Sequence, residues 1–325
     1  MTADPSAEPV LALDAGQSGS RARLVTGSGV REAAAGGVRL VVDEASAAHS
    51  AAVVGELWDE LGRPRCAVTV LGTTAFSRCA ELNAWLARRV AEVTGTGRVV
   101  LAVDSVTSHV GALANAPGVV AAVGTGVTVC MRDGGTWLGW LDGHGTVFGD
   151  RGGGYGIGLA GLRFAARCTD LGDDAHPLLL RATGRFGAVR EWPFELRGPA
   201  ATARIASFAV DVLACAAAGD PAAGRIRAVA AADLAETVAA AVRRLGAGGQ
   251  VKVSWAGSVL SDTALRGEFL RRLAELSPAA RPRPPAGSAL DGAVHLARDP
   301  GLVPAPGFVE VHPGRPRPVP AARGR

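Results

Sequence analysis

With 325 residues, 48% of them hydrophobic and 20% charged, the chain is long enough for two domains of ordinary size and can bury a substantial core. Those proportions exclude disorder across the whole chain. The net charge is +4, but the arginines are scattered and aromatic residues make up only 5%, so no basic stripe interleaved with aromatics argues for a nucleic-acid partner.

Residues 1–9 read as a loose leader. An apolar run at 10–13 is ended by glycines and an extended pattern resumes at 22–25, which predicts strand, glycine-rich turn, strand. A further strand is expected at 66–71. A helix follows from about Ala80, with Leu82, Trp85, Leu86, Val90 and Val93 on one face. The run 99–103 reads as a buried strand ending at Asp104. A second cycle then begins: strand at 119–123, turn at Gly124-Thr125-Gly126, returning strand at 127–131. Residues 134–158 are rich in glycine and read as a loop leading into a helix at Leu159. Alanine-rich helices fill 201–245, and a late strand at 250–255 closes on Ala256-Gly257-Ser258. The repeated unit predicts a duplicated α/β architecture, with domains at 10–107 and 108–297. The Pro-, Arg- and Gly-rich residues 298–325 read as a disordered tail.

The single lysine, Lys252, stands in Val251-Lys252-Val253-Ser254. A P-loop needs a G-K-[ST] lysine and a protein kinase a strand lysine on the phosphates, so both classes are excluded. The five cysteines, Cys66, Cys79, Cys130, Cys168 and Cys215, form no C-x-x-C pair and no metal-ligand spacing, and read as small core residues. Together with the lack of an apolar signal segment or long apolar run, they point to the cytoplasm and to no membrane partner.

Three motifs carry chemistry. In Asp14-Ala15-Gly16-Gln17-Ser18-Gly19-Ser20-Arg21, Gly16 and Gly19 let backbone approach phosphates and Ser18 and Ser20 add hydroxyl donors. Asp14, at a strand end, suits hydrated Mg²⁺, which binds through one or two carboxylates plus phosphate. A plain hairpin turn favours the same residue types. Gly124-Thr125-Gly126 reads as a second phosphate-cradling hairpin. In Ala256-Gly257-Ser258-Val259-Leu260-Ser261-Asp262 a glycine turn enters a helix, consistent with an adenosine contact at Gly257 and Ser258 and equally with a helix cap at Ser261 or Asp262.

In this order, the motifs resemble the phosphate-1, phosphate-2 and adenosine segments of the actin-like ATPase and sugar-kinase superfamily. Gly149-Asp150, followed by Gly152-Gly153-Gly154-Tyr155-Gly156-Ile157-Gly158, resembles the G-D-E-G-S-x-Y-W-I-G segment of the N-acetylglucosamine kinase and BadF/BadG/BcrA/BcrD-type ATPase family. Leu290-Asp291-Gly292-Ala293 is similar to that family's closing helix start.

The resemblance implies a duplicated ribonuclease-H-like (actin-like ATPase) fold, with two domains around a nucleotide cleft, ATP and Mg²⁺ as cofactors, and a homodimer. It implies phosphorylation of an amino sugar, N-acetylglucosamine to its 6-phosphate first among them. Asp104 matches the family's catalytic base, and Asp150 its second sugar-binding carboxylate. Thr73, in Gly72-Thr73-Thr74, and Thr125 fall near the same sugar, as does the stretch containing His144 and Gly145. Two positions depart from the family: Arg151 replaces a glutamate, and Asp142-Gly143-His144-Gly145 replaces G-G-W-G, so that His144 stands for a tryptophan. Glucosamine, another N-acylated hexosamine or a different polyol then fits as well.

Two other readings remain open at this point. One is an ATPase driving a partner protein; such relatives hold an iron–sulfur cluster through interface cysteines, a pattern these cysteines lack. The other is a catalytically degenerate sugar sensor, although the nine residues before the first strand leave no room for a DNA-binding helix-turn-helix.

Overall fold

Apolar runs that end in glycine become strands that turn back on themselves, and this happens twice. The computed structural model describes residues 8–134, 136–198, 200–246, 249–299 and 307–314. They form two compact units: one from the residues up to Asn115 together with those from Ala286 onward, the other Ala116–Pro285.

In the first unit, β1 (Val10–Gly16), β2 (Gly19–Thr26) and β3 (Gly29–Ala35) form an antiparallel meander. β4 (Val68–Thr73) pairs parallel with β1, and β5 (Arg98–Val103) parallel with β4. Every residue of β4 is buried, as a central parallel strand covered on both faces requires. Side chains alternate along β1, so Leu11, Leu13 and Ala15 enter the core with Leu57 and Trp58 of the helix Glu44–Glu60 and Leu86 and Val90 of the helix Ala80–Thr94. The first helix starts with a capping box between Asp43 and Ser46, and the second ends at Gly95 in the left-handed conformation.

The second unit repeats the plan. β6 (Gly118–Val123), β7 (Val127–Asp133) and β8 (Thr136–Asp142) form the meander, and β9 (Val251–Ala256) and β10 (Ala280–Pro282) add in parallel. The order β10-β9-β6-β7-β8 matches β5-β4-β1-β2-β3 strand for strand. This is the duplicated ribonuclease-H-like α/β fold. Phe208 and Phe269 are fully buried in the second core, beside the helices Gly154–Leu171 and Pro221–Leu245. Among the described residues, no single helix is long and apolar enough to cross a membrane.

The structure departs from the sequence expectations in four places. The stretch 134–158 is not one loop: Trp137 to Asp142 pair with β7 across a bulge at Met131/Arg132, and the helix begins at Gly154 rather than Leu159. β3 and the helix Glu44–Glu60 were not anticipated.

The boundary expected at 107 falls at 115, and the second unit ends at 285 instead of 297. The cause is the helix Ala289–Arg298, which crosses the helix Asp104–Ala112 through two glycines: a Cβ on Gly292 would overlap the Thr107 carbonyl, and one on Gly111 the Ser288 carbonyl. Arg23 holds the same helix from β2, bridging Glu32 at 2.7 Å and Asp291 at 2.5 Å. Finally, part of the expected tail is ordered: β11 (Val309–Pro313) pairs antiparallel with β5. Residues 1–7 of the leader and 300–306 and 315–325 of the tail lie outside the described residues.

Candidate active site

In the first unit β1 and β2 pair down to Gly16 and Gly19, leaving Gln17 and Ser18 at the tip. The tip is braced by a passage that sequence reasoning missed. Val38 N–H donates to the Gly16 carbonyl at 2.9 Å, and a Cβ on Gly37 would overlap Gln17. Asp14 and Arg21 are cross-strand partners, joined at 2.9 Å, but Arg21 is 63% exposed and such a pair is worth under about 1 kcal/mol. Ser18 and Gly19 are exposed. Ser20 is buried, and its hydroxyl has no partner.

β5 runs straight into the helix Asp104–Ala112. Asp104 is the first residue of that helix, after Val103 at the capping position, so its carboxylate lies in the first turn beside the free backbone N–H groups. The parallel register sets Asp14 level with Gly72 and Gly72 level with Ala102, which brings Asp14 and Asp104 to the same end of the sheet. Gly72 is required there, because a Cβ would overlap the Thr107 side chain. Burial, and then the negative charge of Asp14, push the Asp104 carboxyl up to about 6 against the opposing N–H groups of Ser105 and Asp104 itself.

The Thr73 hydroxyl is committed to backbone: it donates to the Ala15 carbonyl at 3.1 Å and accepts from Ala75 N–H at 2.9 Å. The hydroxyls of Thr74 and Ser105, also buried at this end, have no partner. Asp14 and Asp104, two mutually repelling carboxylates at one end of the sheet, are donors that suit a hard cation.

In the second unit, Gly124-Thr125-Gly126 closes the β6–β7 hairpin, with Gly124 N–H donating to Gly126 O at 3.0 Å. Three elements converge on it. The Asp150 carboxylate accepts from Val127 N–H at 2.9 Å and lies so close to Gly126 that a Cβ there would overlap it. Gly154 and Tyr155 N–H, at the start of the helix Gly154–Leu171, donate to Gly124 O and Thr125 O at 2.8 and 2.9 Å. Gly257, at φ 92°, rests against Val123, where a side chain would overlap the carbonyl. Ser258 beside it is exposed.

Asp150 is held at φ 59°, a conformation costly for a residue with a Cβ, by its own N–H donating to Asp142 Oδ1 at 2.9 Å. Burial raises the Asp150 carboxyl, Val127 N–H opposes it, the charge of Asp142 raises it further and His144 lowers it. His144 and Gly145 are exposed at the start of the short helix Gly145–Phe148.

The BadF/BadG/BcrA/BcrD ATPase family profile matches residues 13–293. The chain belongs to this family. No curated protein sequence matches it. Among solved structures, a candidate N-acetylglucosamine kinase from Chromobacterium violaceum superposes with a TM-score of 0.67 at 24% identity, covering 90% of this chain and 99% of the other. A second candidate N-acetylglucosamine kinase, from Porphyromonas gingivalis, gives 0.65 at 13% identity over 89% and 98%. A ROK family glucokinase from Streptomyces griseus, in complex with glucose and AMPPNP, gives 0.58 at 16% over 89% and 99%. At these identities the likeness is one of fold.

Within this BadF/BadG/BcrA/BcrD family member, Arg151 turns toward the helix Pro221–Leu245, its guanidinium 3.6 Å from Asp233. Sequence reasoning missed Gly37, Ser105, the packing role of Gly72 and the bracing role of Asp142, and it singled out Thr73 rather than Thr74. Only Asp142-Gly143, a turn-forming pair, carried a signal.

Proposed function

We propose that the protein is an ATP-dependent sugar kinase that transfers the γ-phosphoryl group to an amino-sugar hydroxyl, with N-acetylglucosamine, giving its 6-phosphate, as the first candidate. The observation that carries this reading is Asp104: a carboxylate at a strand end, beside Asp14, with its carboxyl raised to about 6. A base is most useful when its pKa lies near the working pH. Asp104 accepts the proton of the attacking hydroxyl while that oxygen bonds to the γ-phosphorus and the bond to the bridging oxygen of ADP breaks.

Asp14 would hold hydrated Mg²⁺, which supplies charge neutralisation at the phosphates. The backbone of Gly16 and Gly19, with Ser18 and Ser20, is suited to phosphate oxygens, and Gly124, Thr125 and Gly126 form a cradle of the same kind. Gly257 and Ser258 would take the adenosine. Sugar hydroxyls fall to Asp150, Thr125, His144 and Gly145, and to the Gly72-Thr73-Thr74 segment, where Thr74 has the uncommitted hydroxyl. In this reading the enzyme is a cytoplasmic homodimer without nucleic-acid or membrane partners.

ADP release with Mg·ATP, measured over N-acetylglucosamine, glucosamine, N-acetylmannosamine, N-acetylmuramic acid and glucose, tests the proposal. Turnover with one amino sugar is expected, and Asp104→Ala should lower kcat about 10²–10⁴-fold. Because only the ionised carboxylate accepts a proton, kcat/KM should fall as the pH drops through about 6. Turnover without sugar would instead favour an ATPase that drives a partner, and ATP binding without turnover on any sugar would sink the substrate class.

A further inference from the structure

The helix Gly154–Leu171 ends at Gly172, at φ 72°, and the Asp173 N–H turns back to the Cys168 carbonyl at 2.9 Å. The next turn brings His176 N–H to within 3.3 Å of Asp173 O. This double reversal draws together three donors of different chemistry. The Cys168 sulfur, an Asp173 carboxylate oxygen and a ring nitrogen of His176 all lie within 4.8 Å of one another. Cys168 is buried, His176 half-buried and Asp173 exposed.

The His176 ring is oriented from three directions. Phe164 meets it edge-on, with centroids 4.8 Å apart; Leu178 N–H approaches Nδ1 at 3.2 Å; and Asp220 Oδ2 lies 3.4 Å from Nε2. Asp220 is nearly inaccessible, and its other oxygen caps the helix Pro221–Leu245 through Ala223 N–H at 2.8 Å. A carboxylate facing Nε2 and a backbone donor facing Nδ1 assign the ring proton to Nε2 and the lone pair to Nδ1. A carboxylate on the far nitrogen is the usual outer partner of a metal-bound histidine. A cavity of about 300 Å³ is lined by Pro177, Arg181, Cys215, Ala218, Gly219 and Asp220, so it reaches the residue after His176 and the carboxylate that faces Nε2.

We propose that Cys168, Asp173 and His176 bind one divalent cation of the zinc type, through Sγ, a carboxylate oxygen and Nδ1, with Asp220 orienting the imidazole. A sulfur, nitrogen and oxygen set selects zinc or cobalt over magnesium or calcium, and three protein ligands leave the fourth position to water. As the sulfur–metal bond forms, the thiol proton passes to solvent, and Nδ1 exchanges the Leu178 N–H for the metal. The site is separate from the residues assigned to ATP and sugar, so it does not depend on that reading.

The test uses the full, tag-free chain, stripped with chelator and dialysed against Zn²⁺ or Co²⁺. One equivalent per chain is expected, with a sulfur-to-cobalt charge-transfer band in the near ultraviolet. Cys168→Ser should abolish the band. Asp173→Asn, on the surface and so without cost to folding, should weaken binding about tenfold or more. Asp220→Asn keeps the helix cap, since asparagine caps as well as aspartate, and should lower affinity about 10–100-fold. Asp14→Asn should leave the band intact. Failure of the wild-type chain to bind stoichiometrically overturns the proposal. So does a band that survives Asp173→Asn at full affinity, or one that disappears with Asp14→Asn. If Cys168→Ser fails to fold by circular dichroism, the Asp173 and Asp220 variants decide.

Discussion

Raising the Asp104 carboxyl from 3.8 to about 6 couples its chemistry to the stability of the fold. The folded chain binds this proton more tightly than the unfolded chain, so the cost of the buried charge is complete above about pH 6. It fades as the pH falls toward 3.8, where both states take up the proton. The full shift corresponds to at most about 3 kcal/mol, less whatever solvent access screens. Asp104→Asn should therefore raise Tm at about pH 8, lose that gain near about pH 4, and lack activity at both. Thermal melts at the two pH values check this, and a lower Tm at the higher pH would show that the carboxylate is stabilised rather than strained. The place of Asp104 was legible because a carboxylate closes an unbroken apolar strand, while its role came only from the family resemblance. The choice between Thr73 and Thr74 was not: adjacent hydroxyls look alike in sequence, and only packing shows that Thr73 is used up by the Ala15 carbonyl and Ala75 N–H.

At the scale of elements, the hairpins were readable because glycine stands where β1 meets β2 and where β6 meets β7. β8 was hidden by the glycines around it; its Trp137 and Trp140 are only half-buried and give no clean alternation. The helix Glu44–Glu60 was missed because it buries Ser46, Ala47, Ser50 and Ala51 beside Val54 and Leu57, leaving little contrast between its faces. Nor does sequence reveal why Gly292 must be glycine. Gly292→Ala should force the helices Ala289–Arg298 and Asp104–Ala112 apart and cost about 1–3 kcal/mol or more. Gly267, in the helix Thr263–Leu276 with open space around it, is the contrast. There Gly267→Ala should gain about 0.5–1 kcal/mol. Urea midpoints for the two variants test both signs, and equal effects would overturn the packing argument.

At the scale of the molecule, the duplication was visible as a recurring strand and turn, but the partition of the chain was not. The closing helix carries no mark of which core it serves; it joins the first unit through Gly111, Gly292 and the Arg23–Asp291 pair. Residues 116–285, with a core of their own, should fold as an isolated fragment with a cooperative melt. Residues 1–115 alone should not, because they lack the helix that crosses Asp104–Ala112 and the strand that covers β5. Circular dichroism of the two fragments tests this, and a stable 1–115 fragment would show the later segment to be dispensable.

The same partition inverts the usual order of folding during translation, in which the N-terminal domain matures first. The half that leaves the ribosome first must wait for residues beyond 286, while the inserted half has all its strands as soon as 285 is clear of the exit tunnel. Meanwhile β5 emerges with one edge bare, since its neighbour β11 follows the whole inserted half in the chain. That delay is the interval in which the nascent chain is most exposed to wrong strand pairing and most dependent on chaperones.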